Sequence, residues 1–277
     1  MIDGHRLAVI FLVFAFVAPL SGAGCREAST SGTRAVPSPS DGTPSPSPPT
    51  PPPPATATPS PPPAPTQCAT AAMEVRRGNP DRPLVALTFD AGSDAGYTSR
   101  ILETLRSEKV KASFGITGQW ARQYPALVQA MAGDGHLLIN HSEDHPSFTG
   151  ISTGTPPLTR EERISQLQKA EEEIKALTGV STRPYFRPPY ADVDDSVLCD
   201  VYAAGYGYVV MWSVDTGGWN RATAEQIVQT SLAGARPGAI YLMHVGSESA
   251  DGRALPQIIQ GLRAKGYEFG TVAEVLR

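Results

Sequence analysis

The chain has 277 residues and a net charge of -4, and its 23 basic residues form no run or stripe. Nothing in that pattern points to nucleic acid, whose partners carry a clustered basic surface. An apolar content of 40% suits a globular domain, and three cysteines without CxxC spacing exclude a zinc-ribbon or thioredoxin-type motif.

His5 and Arg6 precede an unbroken apolar run over residues 7–18, closed by Pro19 and small residues through Gly24. The twelve apolar residues fall short of the ~20 needed to cross a bilayer and match a secretory signal peptide over residues 1–24. Two processing routes fit. Cleavage after Ala23 suits an ordinary signal peptidase, whereas Cys25 resembles the lipidated cysteine of bacterial lipoproteins, although Gly22 stands where such sites favour an aliphatic residue. Membrane attachment is expected only through a lipidated Cys25, and the chain is expected in the cell envelope or outside the cell.

Residues 25–67 form a Pro-, Ser- and Thr-rich stretch holding fifteen of the 27 prolines, with too little apolar surface to offset conformational entropy. Extended at ~3.1 Å per residue, it would reach on the order of 100 Å and act as a tether, or as a passive linker on a freely secreted protein. Export permits a disulfide. Pairing Cys68, which opens the globular part, with Cys199 would staple its N-terminal edge and leave Cys25 over.

Residues 68–277 suffice for one core. The run Leu84-Val85-Ala86-Leu87-Thr88-Phe89 predicts a strand that ends at Asp90 in a small, acidic loop. Alternation puts Ala86, Thr88 and Asp90 on one face and Val85, Leu87 and Phe89 on the other, under a helix. A helix follows over 97–109, then a strand over 112–116, a helix over 121–131 and a strand at Leu137–Asn140. An amphipathic helix over 159–177 opens with a capping box at Thr159 and Glu162 and stops at Gly179. Next are a short strand at Tyr185–Phe186, a helix over 196–204, a strand over 208–212 and a helix over 224–232. The last elements are a strand over 239–243, a helix over 255–265 and a turn near 272–276. Repeated βα units predict an α/β fold, a distorted (β/α) barrel of about seven parallel strands.

Polar residues stand at the carboxyl ends of these strands, where parallel α/β folds assemble their sites. They are Asp90, His141, Arg187, Asp215 and His244. His141 and His145 are four apart and could share a metal if the segment makes a helical turn. Singly, each residue reads more readily as a cap or a core polar group. Five together at one end are costly to place against apolar strands unless they form a site.

The set resembles the NodB-type polysaccharide deacetylases (carbohydrate esterase family four). Five motifs occur in the family order: Thr88-Phe89-Asp90-Ala91-Gly92, His141-Ser142-Glu143-Asp144-His145, Arg187-Pro188-Pro189-Tyr190, Asp215-Thr216-Gly217-Gly218-Trp219 and Leu242-Met243-His244. The resemblance implies a distorted barrel and metal-assisted removal of an acetyl group from an N-acetylated sugar, releasing acetate and an amino sugar. It implies that His141 and His145 bind a divalent metal, zinc above all, that Asp90 is the general base and that Arg187 orients it. The Tyr190 N–H would help bind the oxyanion, His244 would protonate the leaving amine, and Leu242 and Trp219 would line the acetyl pocket.

Two positions depart from the family pattern. Ala91 stands where most members carry a metal-binding Asp, and Gly218 where an Asp tunes the catalytic histidine. Asp215 remains to hold His244, and Asp94 is a candidate third ligand, with Glu143 and Asp144 as rivals. The competing role for Asp94 is to cap the helix starting near Tyr97. The expected partner is an acetylated polysaccharide, peptidoglycan first, met by a monomer. Two alternatives stand beside this: an O-acetyl esterase, and a homologue that binds glycan without turnover.

Overall fold

The structure is a computed structural model and describes residues 68–277. The expected signal segment, the tether and Cys25 lie outside the described residues. In chain order the strands are β1 (Met73–Val75), β2 (Leu84–Ala91), β3 (Ser113–Ile116), β4 (Leu137–Asn140) and β5 (Tyr185–Phe186). They continue with β6 (Tyr208–Val210), β7 (Val214–Asp215), β8 (Ile240–His244) and β9 (Glu268–Phe269). The α-helices are α1 (Thr98–Ser107), α2 (Gly118–Gln123), α3 (Pro125–Gly133), α4 (Arg160–Thr178), α5 (Asp195–Ala203), α6 (Ala224–Ala233), α7 (Asp251–Ala264) and α8 (Val272–Val275).

These strands pair in parallel in the order β1-β6-β5-β4-β3-β2-β8-β7, and β9 adds to β2. Consecutive strands β6 and β7 do not pair with each other. Strand β6 takes β1 as its second neighbour and β7 takes β8, so the barrel stays open between them, the distortion of the expected (β/α) barrel. The seam also explains why one strand over 208–212 does not form. Met211 N–H donates to Val75 on one side and Ser213 N–H to Ile240 on the other, so the chain changes partners across Trp212.

Alternation along β2 works as its pattern predicts. Val85, Leu87 and Phe89 pack with Ile101 and Leu105 of α1 and Ile258 and Leu262 of α7 in the larger core. Leu84 and Ala86 face the barrel interior with Ile139, Val210 and Ile240. Helix α4 keeps the expected capping box at Thr159 and Glu162, and Gly179 ends it in a left-handed conformation (φ 73). The single helix foreseen over 121–131 is instead two. Tyr124, with φ -130 and ψ 55, breaks it because Pro125 lacks an N–H and restricts the residue before it. Strands β1 and β9, three and two residues long, were not foreseen. Neither is long enough to show a period.

Cys68 and Cys199 are disulfide-bonded, with 5.8 Å between Cα atoms and 131 residues between them. The bond fixes the start of the domain to α5 beside the Ala72 N–H bond to Leu198 (3.0 Å). Opening it by Cys199→Ser is expected to cost about 2–5 kcal/mol of stability. Calorimetry on both proteins checks this, and thiol titration of the unreduced, denatured domain should find neither of these two cysteines free.

Candidate active site

The parallel register brings the polar strand ends together. Asp90 stands opposite His244 on β8 and Gly115 on β3, Asn140 opposite Phe186, and Asp215 opposite Leu242. The residues after these positions, His141 and Arg187, therefore reach the same rim. A cleft of about 810 Å³ opens there, walled by Asp90, His141, His145, Tyr190, Leu242 and His244. Asp215 and Trp219 line it too, while Arg187 lies behind the wall, fully buried.

Arg187 is held from three sides. Its backbone N–H donates to Asn140 (2.8 Å), its Nε to the Val210 carbonyl (3.0 Å), and its guanidinium lies 5.7 Å from the Trp212 ring. Its Nη1 donates to Asp90 Oδ1 at 2.8 Å. Burial would raise the Asp90 carboxyl, but the Arg187 charge, followed by His141 and His244, outweighs it and holds the group below its ordinary range. Gly115 is required beside it, since a Cβ there would lie 2.5 Å from Asp90 Oδ1. Asp90 is thus a buried, ionised, fixed carboxylate whose second oxygen is 3.7 Å from His141 Nε2.

His141 Nδ1–H donates to the Arg187 carbonyl (2.8 Å), and burial, against the pull of Asp90, keeps the ring neutral. Its Nε2 is thereby left with a lone pair. A backbone-bound second nitrogen is the usual arrangement of a ligating histidine. His145 packs edge-on against His141 at 4.8 Å and against Tyr190 at 4.8 Å, and burial, with His141 beside it, pushes it down to about 4. The two rings converge without the expected helical turn. Ser142 (φ 69) and His145 (φ 64) are both left-handed, and the Ser142 hydroxyl accepts from His145 N–H (3.1 Å). Such backbone is uncommon outside glycine and concentrates at functional sites.

The remaining expected residues divide. Leu242 is buried in the cleft wall, Tyr190 is left-handed (φ 57) with a half-exposed ring, and Trp219 stands 62% exposed at the rim. Asp215 accepts from Trp219 Nε1 (3.1 Å) and Gly217 N–H (2.9 Å), so its hydrogen bonds run to the rim and not to His244. Asp94 neither caps α1, whose N-cap is Tyr97, nor turns toward the histidines. Its two oxygens accept from the Ser247 N–H and hydroxyl, each at 2.9 Å. Glu143 is paired with Arg122, and Asp144 accepts from Gln166 (2.7 Å). No cluster of three or more His, Cys, Asp or Glu donors capable of holding a metal forms among the described residues. Two adjacent neutral imidazoles at the cleft, His141 and His145, are donors that would fit a divalent cation.

Sequence reasoning missed Asp251. It lies seven residues past His244, fully buried at the start of α7, and accepts from the His244 N–H (2.9 Å), Thr216 (2.8 Å) and Ser249 (2.7 Å). The only hint was the Ser249-x-Asp251 spacing before an apolar helix. Asp192 was missed as well; it binds the Ser147 and Ser152 hydroxyls and ties the loop ahead of α4 to the Tyr190 wall.

Comparison with known proteins agrees with this fold. The polysaccharide deacetylase family profile matches residues 77–209. The Bacillus subtilis protein YlxY is 34% identical over 203 residues, which are 73% of this chain and 60% of that protein. The peptidoglycan-N-acetylmuramic acid deacetylase PdaA of Bacillus subtilis is 31% identical over 202 residues, 72% of this chain and 73% of PdaA. A solved structure of a CE4 family pseudoenzyme from Bacillus anthracis superposes with a TM-score of 0.68 at 31% identity, covering 75% of this chain and 70% of that one. With its open parallel barrel and its ordered strand-end residues, the chain belongs to the polysaccharide deacetylase family, hydrolases that act on the carbon–nitrogen bond of an amide.

Proposed function

We propose that the protein is a metal-dependent N-deacetylase of an envelope polysaccharide, with the amino sugars of peptidoglycan as substrate. The observation that carries the reading is the Asp90 carboxylate, buried, kept ionised by Arg187 and set between His141 and His244 at one cleft. The likeness to PdaA supports peptidoglycan, and the exported leader expected from residues 1–24 supports action at the envelope.

Asp90 takes the proton of the attacking water, a role that needs an ionised, oriented carboxylate. Arg187 keeps it so through its charge and the 2.8 Å hydrogen bond to Oδ1. His141 and His145 would hold a divalent cation, with zinc matched to imidazole donors. Bound there, the metal would polarise the acetyl carbonyl and acidify the water. The Tyr190 N–H donates to the oxyanion from the cleft wall, where fixed dipoles act most strongly. His244, in register with Asp90 on the neighbouring strand, gives its proton to the departing amine. Leu242 closes the space around the acetyl methyl, and Trp219 offers an exposed face to the sugar. All these residues come from one chain, so a monomer completes the site.

Acetate release from intact peptidoglycan, N-acetylated oligosaccharide and O-acetylated xylan, before and after chelation and with zinc restored, tests the reading. Zinc-dependent release from the N-acetylated substrates is the expected result, with mass mapping to show which sugar loses its acetyl. Release only from the O-acetylated glycan would make the protein an esterase. The spent carboxylate of Asp94 and the likeness to a pseudoenzyme favour one further reading, a glycan-binding homologue. Glycan binding with no acetate from any substrate at any zinc concentration would establish it.

A further inference from the structure

We infer that Asp251 is the positioning carboxylate of His244, supplied from α7 into space that Gly218 leaves open. The kinetic part of this inference rests on the deacetylase reading; its spectroscopic part does not.

Asp251 is a carboxylate with 0% exposure. Its oxygens accept from the Thr216 hydroxyl, the Ser249 hydroxyl and the His244 N–H, all neutral donors, and no Arg or Lys pairs with it among the described residues. A buried carboxylate is costly without a compensating cation. The nearest group able to supply one is the His244 ring, whose Nδ1 is buried without a hydrogen-bond partner. Asp251 already grips that residue by its backbone. The remaining groups around His244 belong to the cleft: Asp90 in register beside it, then His141 and His145. Asp251 comes from the start of α7 and is not among the residues that line the cleft.

Gly218 shows that the space is reserved. A Cβ at that position would lie 2.2 Å from Asp251 Oδ2 and 2.4 Å from Ser249 Oγ. A side chain at residue 218 and the carboxylate at residue 251 therefore exclude each other. Asp215, on the same turn, is occupied by Trp219 and cannot serve in its place. A small turn of the ring that gave the unpartnered Nδ1–H to Asp251 would fix its orientation and leave Nε2 to carry the proton for the leaving amine. Such a partner sets tautomer and direction without touching substrate.

Three variants of the full-length protein test this: Asp251→Asn, Asp251→Ala and the double variant Gly218→Asp/Asp251→Ala, which moves the carboxylate to the facing turn. On an N-acetylated oligosaccharide, Asp251→Asn is expected to lower kcat by roughly 10²-fold with KM changed less than about twofold. The double variant should regain about tenfold or more over Asp251→Ala, because the overlap with the Asp251 carboxylate is gone, the Ser249 hydroxyl has lost its Asp251 acceptor and can turn aside, and a carboxylate is back. Nitrogen-15 NMR of the His244 ring should show Nδ1 protonated in the native protein and the proton moved to Nε2 in Asp251→Asn. That signal can be read even if the protein releases no acetate, so failure of the deacetylase reading remains separate. Unchanged kcat in Asp251→Asn, a folded double variant no better than Asp251→Ala, or an unchanged ring signal would each overturn the inference. If Asp251→Asn does not fold, the double variant decides.

Discussion

Asp90→Asn is expected to lower kcat by about 10²- to 10⁴-fold, and His244→Ala by a similar factor, since each removes a group that moves a proton in the transition state. Asparagine keeps an oxygen for the Arg187 Nη1 donor but leaves the buried guanidinium without its counter-charge, so kcat is to be compared on protein that circular dichroism shows to be folded. The pH profile adds a sign. Asp90 is held below the ordinary carboxylate value by Arg187 against its burial. The acid limb of kcat/KM should therefore lie below the ordinary carboxylate range, since the base stays ionised until then. Turnover near the native rate in either variant would remove Asp90 or His244 from the chemistry.

Arg187→Met is expected to be among the most destabilising single changes in the domain. It leaves the buried Asp90 carboxylate without its cation, and breaking a buried pair from one side costs about 3–5 kcal/mol. The companion variant Asp90→Asn/Arg187→Met should recover much of that, because the uncompensated charge is gone as well. In the native protein the depressed carboxyl contributes stability that is complete above its unfolded value and is lost as pH falls through the folded one. In Arg187→Met, burial, the largest influence on Asp90, is less opposed, so its folded value rises and protonation relieves the strain. The stability gap between variant and native protein should thus narrow as pH is lowered from 7 to about 4. Denaturant melts across that range measure it. A gap that stays constant would mean that Asp90 is compensated by something other than Arg187.

The sequence made the parallel barrel and the strand-end residues legible because both follow from local pattern. The run from Leu84 to Phe89 alternates cleanly, and its faces divide between the outer and inner cores as alternation requires. His141, Arg187 and His244 could be found because each follows an apolar strand. The partners of these residues were not legible, since they depend on elements far apart in the chain. Asp94 looked like a ligand by its distance from Ala91, yet Ser247, 153 positions away, takes both its oxygens. Asp215 was expected to hold His244 because it is the Asp that remains in the fourth motif, yet its oxygens go to Trp219 and Gly217. The left-handed backbone of Ser142 and His145 has no signature in residue type, so the convergence of the two rings was anticipated with the wrong local geometry. The break at Tyr124 was readable from Pro125 and was passed over because the apolar spacing continues through it.

The Cys68–Cys199 bond also has a mechanical consequence. Strand β1 lies at the edge of the sheet and pairs with β6 alone, so a pull on the chain from its amino-terminal side would otherwise unzip β1 one hydrogen bond at a time. The covalent link meets that pull at Cys68, five residues before β1 begins, and passes it into α5. The load path then bypasses the β1 edge of the sheet. In a single-molecule extension from the amino terminus, β1 should stay in place until the helix layer yields, and a reducing agent should lower the force of the first event.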